Sequence, residues 1–187
     1  MGLMEKLANL ESFESSRIFF RHATEQDAAD MFELFHNPEV LKWIHAPMPA
    51  SIEDTLENTI RGYHMSNPLG KYVMVQKSSD KVIGSFDIRP VEKQNLAEIG
   101  YALNKDYWGK GIMTESLIAG IKIGFETLGL NRIQSDHAPE NIGSGRVMEK
   151  AGMQYEGTLR QFERLPDGQY VDSKIYSILS SDYFATK

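Results

Sequence analysis

The chain contains no cysteine. That excludes disulfides, thiol nucleophiles and thiolate metal sites together. It also lacks basic excess: 20 lysines and arginines stand against 26 aspartates and glutamates, for a formal net charge of −6. Nucleic-acid affinity leans on basic surface, so no nucleic-acid partner is expected. No apolar run approaches the roughly 20 residues of a membrane span, and the opening MGLMEKLANLES has no signal-type apolar core. The expectation is a cytoplasmic protein with no membrane partner. The five histidines are scattered with no pair at ligand spacing, so no metal is expected.

What is present is an ordinary globular composition, 41% hydrophobic and 25% charged over 187 residues, long enough to bury a core. Residues 1–15 read as an N-terminal extension, with a short helix through Leu3, Leu7 and Leu10. A strand is predicted over 17–22. Thr24 with Asp27 forms a capping pattern that opens a helix to about His36, stopped by Asn37-Pro38. Ser51 with Asp54 repeats the cap before a helix through Leu56, Ile60 and Tyr63. Strands at 72–76 and 82–88 are joined by Ser78-Ser79-Asp80, and period-two alternation predicts another at 96–103. A helix over about 112–128 carries an apolar stripe of Leu117, Ile121, Phe125 and Leu128 and stops at Gly129. A strand over 131–135, a helix over 141–150 ended by Gly152, and a hairpin turning at Pro166-Asp167-Gly168 complete the chain. Ser135-Asp136-His137 contains triad residue types, but neighbours on a strand point to opposite faces, so no triad is expected.

The most informative stretch is AEIGYALNKDYWGKGIMTES, Ala97 to Ser116: a strand, a turn in which Gly109 and Gly111 bracket Lys110, then a helix start. Glycines permit positive φ and close approach of a ligand. Main-chain N–H groups at a helix N-terminus attract phosphate oxygens. A phosphate-bearing ligand is the expectation. No GK[ST] follows at Walker spacing, and the third glycine of a dinucleotide fingerprint is missing.

In this segment the chain resembles the GNAT acetyltransferase superfamily, and the resemblance covers nearly the whole length. The family loop Gln/Arg-x-x-Gly-x-Gly/Ala aligns with Trp108-Gly109-Lys110-Gly111-Ile112-Met113, where only Gly111 matches strictly. Tryptophan before GKG and GIM after it are similar to the branch that acetylates ribosomal-protein N-termini. So is ENIGSGRVMEKAGMQYEGTLRQFE, with Asn141, Ser144, Glu149, Lys150 and Gly152 in place. The tyrosine many relatives use as general acid is replaced by Met148.

The resemblance implies an α/β fold: a mixed, mainly antiparallel sheet of about seven strands, splayed in the middle, with about four helices on its faces. Residues 16–187 would form one acetyltransferase domain. It implies acetyl-CoA as co-substrate, with its pyrophosphate held across Trp108, Gly109, Lys110, Gly111, Ile112, Met113 and Thr114. The backbone of Tyr101 and Leu103 would flank the thioester, and Asn141 would bond the pantetheine arm. Ser144 is the candidate acid, Glu163 the candidate base acting through water, and Glu98 a second candidate base. The acceptor is a primary amine, most like a protein N-terminal amine. The alternatives are a small amine, for which Glu53, Asp54 and Glu57 could form an acidic pocket, and a non-catalytic CoA-binding sensor. The Trp43 and Met48 region falls where this fold admits substrates. A homodimer built through exposed strands is a further implication.

Overall fold

A computed structural model describes residues 2–44, 46–165 and 168–185. The chain builds one eight-stranded sheet around which the helices divide into two layers. Its strands are β1 (Ser12–Glu14), β2 (Ile18–Arg21), β3 (Lys71–Gln76), β4 (Val82–Val91), β5 (Leu96–Leu103), β6 (Arg132–His137), β7 (Gln154–Arg164) and β8 (Tyr170–Leu179). Their order across the sheet is β1-β2-β3-β4-β5-β6-β8-β7. Every neighbouring pair is antiparallel except β5 and β6. The expected mixed, mainly antiparallel sheet is therefore what forms, with eight strands rather than about seven. The strand without a prediction is β1, three residues long and too short to show a period.

The helices are α1 (Leu3–Ala8), α2 (Ala28–Phe35), α3 (Pro38–Leu41), α4 (Ile52–Asp54), α5 (Ile112–Ile123), α6 (Ile142–Lys150) and α7 (Ser180–Ala185). Beyond α4 the helical path widens to π-type turns over Thr55–Met65, and beyond α5 it does so over Gly124–Leu128. The predicted caps form. Thr24 and Asp27 make the reciprocal box, and Ser51 Oγ accepts from the Asp54 N–H at 3.1 Å. Asn37 Oδ1 accepts from the Glu39 N–H, with Pro38 at the first helical position of α3.

Alternation in the strands separates two cores. On one face α1, α5 and α6 cover Phe20, Ile83, Phe86, Ile88 and Ile99. On the other, α2, α3 and the helical segment over 52–65 cover Val73, Val75 and Val82. Helix α5 lies close to the sheet because Gly120 has no side chain: a Cβ there would sit 2.5 Å from Phe86 Cζ. The segment read as an extension contributes to the first core, where Leu3, Leu7, Leu10 and Phe13 are buried. Strand β7 pairs antiparallel with β8 up to Arg164 and Tyr170. The turn expected at Pro166-Asp167-Gly168 falls at positions 166 and 167, outside the described residues.

Candidate active site

The parallel pairing of β5 with β6 is short. It holds Leu96 to Arg132, Ala97 to Ile133 and Glu98 to Gln134, and goes no further. Antiparallel pairing of β5 with β4 continues to Leu103. The sheet therefore opens into a fork beyond Glu98. At its apex Ser135 Oγ donates to the Ile99 carbonyl at 2.8 Å, which shows that the Ile99 main chain faces β6. By strand alternation the N–H and C=O of Tyr101 and Leu103 face the same way, into the fork. The Leu103 carbonyl accepts from Trp108 Nε1 at 2.8 Å, so the indole closes the far end of that edge. A cleft of about 1040 Å³ fills the fork and continues onto both faces of β5.

One wall of the cleft is the glycine turn. Gly109 and Gly111 have φ of +72° and +73°. Gly111 is the N-cap of α5 and offers no side-chain cap, so the first main-chain N–H groups of a twelve-residue helix are left for a ligand. A Cβ at Gly109 would meet nothing, and one at Gly111 would come only within 3.8 Å of Arg17 Nη2. Arg17 is fixed beside this turn by Glu115 Oε2 at 2.6 Å and the Lys110 carbonyl at 3.0 Å. Open space, positive-φ glycines, uncapped N–H groups and an arginine suit a pyrophosphate. Gly109, Gly111, Ile112, Met113 and Thr114 all line the cleft; Lys110 does not, its carbonyl turned to Arg17 and its ammonium lying over Tyr107.

The middle of the cleft is a hydroxyl pair. Tyr101 OH and Ser144 Oγ are 2.8 Å apart, and the same phenol is 3.3 Å from the Ser144 carbonyl. Burial, and then the charge of Asp136, push the phenol's pKa up, so it stays neutral. Ser144 is held by the first turn of α6, where Asn141 Oδ1 accepts from the Ser144 N–H at 3.3 Å. Asn141 itself lines the cleft. Met148 is wholly buried in the core.

The three candidate carboxyl and hydroxyl residues are not brought together. Ser144 and Glu163 both line the cleft. Glu163 comes into it from β7 just past an irregularity between Leu159 and Glu163, where Gln161 takes φ of +51° and its N–H donates to Asp172 Oδ1. Such bulges re-aim the side chains next to them. Glu98 lies below the apex of the fork, in a separate groove beside Glu156 and Phe162, and accepts from Gln134 Nε2 at 2.9 Å. Ser135, Asp136 and His137 point to different partners: Ile99 O, Ser173 Oγ and Ala138 O.

On the α4 side, the cleft wall contains a residue that motif and spacing did not single out. Asp87 of β4 is 9% exposed; its Oδ2 accepts from Tyr63 OH, and its Oδ1 is buried without a hydrogen-bond donor among the described residues. Burial pushes its pKa up, against the Tyr63 hydrogen bond and the charges of Arg89 and Lys71. On the same side of the cleft, burial pushes His64 down to about 4, so the imidazole is neutral. The available signal was a single charged residue in the apolar run VIGSFDI. Trp43 also lines this side, whereas Met48 is exposed outside it.

These features define a family. The model of the Acetyltransferase (GNAT) domain matches residues 17–154, and the chain belongs to that family. The protein is an N-acetyltransferase whose co-substrate is acetyl-CoA. It is similar to the uncharacterized N-acetyltransferase p20 of Bacillus licheniformis, 28% identical over 93% of this chain and 99% of that protein. A [Ribosomal protein uS5]-alanine N-acetyltransferase of Escherichia coli is 31% identical over 66% of this chain and 64% of its own length. Among solved structures, a GNAT-family acetyltransferase from Bacillus anthracis superposes with a TM-score of 0.81 at 26% identity, covering 91% of this chain and 99% of that one. No helix among the described residues is long and apolar enough to cross a membrane.

Proposed function

We propose that the protein acetylates the N-terminal amine of a polypeptide by direct attack of that amine on the thioester. The observation that carries this reading is the fork in the sheet, with an uncapped helix N-terminus at one end and the Tyr101–Ser144 pair at its centre. In this reading the exposed edge of β5 from Ile99 to Leu103 receives the pantetheine arm as an added strand. The turn over 108–114 holds the pyrophosphate. The main-chain N–H of Tyr101 faces the oxygen on which negative charge develops. Ser144 gives a proton to the departing sulfur, and Glu163 accepts the amine proton through water.

A polypeptide acceptor suits an open cleft better than a closed acidic one. Of Glu53, Asp54 and Glu57 on α4 and its continuation, Glu57 pairs with Arg61, and Asp54 accepts from the Ala50 N–H and the Asn58 amide. The charges of Asp54 and Glu57 are thus already engaged. The relative named for the alanine of ribosomal protein uS5 supports the same reading.

The test is a thiol-release assay with acetyl-CoA and a panel of peptides beginning with alanine or serine, polyamines and amino sugars. Peptides with free N-termini should turn over with the highest kcat/KM. Turnover of polyamines or amino sugars alone would replace the acceptor, and CoA binding without any thiol release would favour a sensor.

A further inference from the structure

The acceptor half of the cleft contains a carboxylate that the proposed function does not use. Asp87 projects from β4 directly opposite Gly100 of β5, one residue before Tyr101 and therefore beside the thioester position. Directly opposed residues share a face and stand about 5 Å apart at Cβ. Gly100 itself presents no side chain to Asp87; the Arg89 guanidinium lies over that glycine, 2.9 Å from where its Cβ would be. One Asp87 oxygen is committed to Tyr63 OH; the other, buried at the cleft wall, has no donor among the described residues. An orphaned carboxylate oxygen is expensive to keep, and a charged N–H donor from a ligand is its natural complement.

We infer that Asp87 is the acceptor-binding residue: its free Oδ1 receives the ammonium of a cationic primary amine and takes the first proton from it. The inference rests on the fork being the thioester site. The protons then balance. R–NH3⁺ gives one proton to Asp87 Oδ1 and becomes R–NH2, whose lone pair forms the C–N bond. The C–S bond breaks, and its electron pair leaves with sulfur. The sulfur takes a proton from Ser144, which is restored by the second N–H proton of the nitrogen, accepted through water by Glu163 and passed on to the serine. Asp87 releases its proton to solvent, giving amide, thiol and one H⁺. A neutral or already acylated nitrogen cannot satisfy Asp87 in this way, so the residue selects for charge at the reacting end and is indifferent to the remainder of the acceptor.

The groups that face Asp87 are Tyr63 from the second helical layer, Lys71 from β3 and Arg89 from its own strand. Removing Tyr63 OH withdraws a hydrogen bond that favours the charged carboxylate, so the Asp87 pKa must rise.

Calorimetry on the CoA-loaded protein tests the binding role, using as probe a five-residue alanine-initiated peptide amide and its N-acetylated form. The wild type should bind the free amine at least tenfold more tightly than the acetylated peptide, and Asp87→Asn should erase that preference while CoA affinity is unchanged. A preference that survives Asp87→Asn, or that the wild type never shows, overturns the inference. Failure of the wild type to bind CoA would overturn the proposed function itself, and this inference with it. Tyr63→Phe gives the second reading: the acidic limb of kcat/KM should move to higher pH, and an unmoved limb counts against Asp87 as proton acceptor.

Discussion

Ser144 and Tyr101 share one hydrogen bond, and the chemistry asked of Ser144 depends on how that bond is oriented. A serine hydroxyl has one hydrogen and two lone pairs. A neutral phenol that donates to Ser144 Oγ leaves the serine hydrogen to point into the cleft. Tyr101→Phe keeps the ring packed against the core and removes only the donor. A typical net hydrogen-bond contribution of about 1 kcal/mol corresponds to roughly a five- to tenfold loss of kcat, with CoA affinity unchanged. Ser144→Ala should cost more in kcat than in KM. The double variant should be no slower than Ser144→Ala alone, because both remove the same device; steady-state kinetics of the three variants decides it, and additive losses would separate the two residues. The sequence offered the tyrosine as part of an alternating strand and its backbone as a flank of the thioester, but gave no role to its hydroxyl. Its hydroxyl meeting a serine 43 residues further on is a product of the α6 packing. Asp87 was less legible still, since a buried oxygen without a donor has no sequence signature beyond a charge among apolar neighbours.

At the scale of elements, the turn and α5 were the most readable part of the chain. Two glycines at Gly109 and Gly111 and a period of 3.6 starting at residue 112 have few alternative structures, and both glycines do take positive φ. A Cβ at position 111 meets no steric obstacle, since the nearest atom is 3.8 Å away. The penalty lies in the backbone, where φ of +73° costs a non-glycine residue about 1–3 kcal/mol. Gly111→Val should therefore reshape the turn and remove the rise in melting temperature that CoA gives the parent, measured by thermal denaturation with and without CoA. Unchanged stabilisation would mean the turn does not hold the pyrophosphate. Elements were misread where length or turn geometry carried the information. The four-residue α3 has its cap at Asn37 but no period to see, and the apolar stripe through Leu56 and Ile60 looks the same to a sequence whether the helix closes in α or π turns.

At the scale of the molecule, the sheet draws on both the early and the late parts of the chain, from β1 at Ser12–Glu14 to β8 at Tyr170–Leu179. Phe13 stacks on Phe20 with centroids 4.2 Å apart and meets Tyr72 and Phe86 edge-on. Leu7 is 1% exposed beneath the helix that ends at Leu128, and Lys6 Nζ reaches the Leu128 carbonyl at 3.0 Å. The sequence showed an apolar helix here but not its docking site, because the surface it covers is built from β2, β3 and β4 and the far end of the α5 path. The same β3–β4 pair carries Asp87, so the N-terminal segment braces the acceptor wall from the opposite face. Truncating Leu7 to alanine should lower stability by about 2–5 kcal/mol, as for other buried leucines. Deleting residues 1–14 removes three buried leucines and Phe13 and should leave a chain that does not fold cooperatively, against a total stability of about 5–15 kcal/mol. Urea denaturation followed by far- and near-ultraviolet circular dichroism distinguishes the outcomes: a deleted chain with the parental midpoint would make the segment a true appendage, and a lost near-ultraviolet signal would make it part of the folding unit.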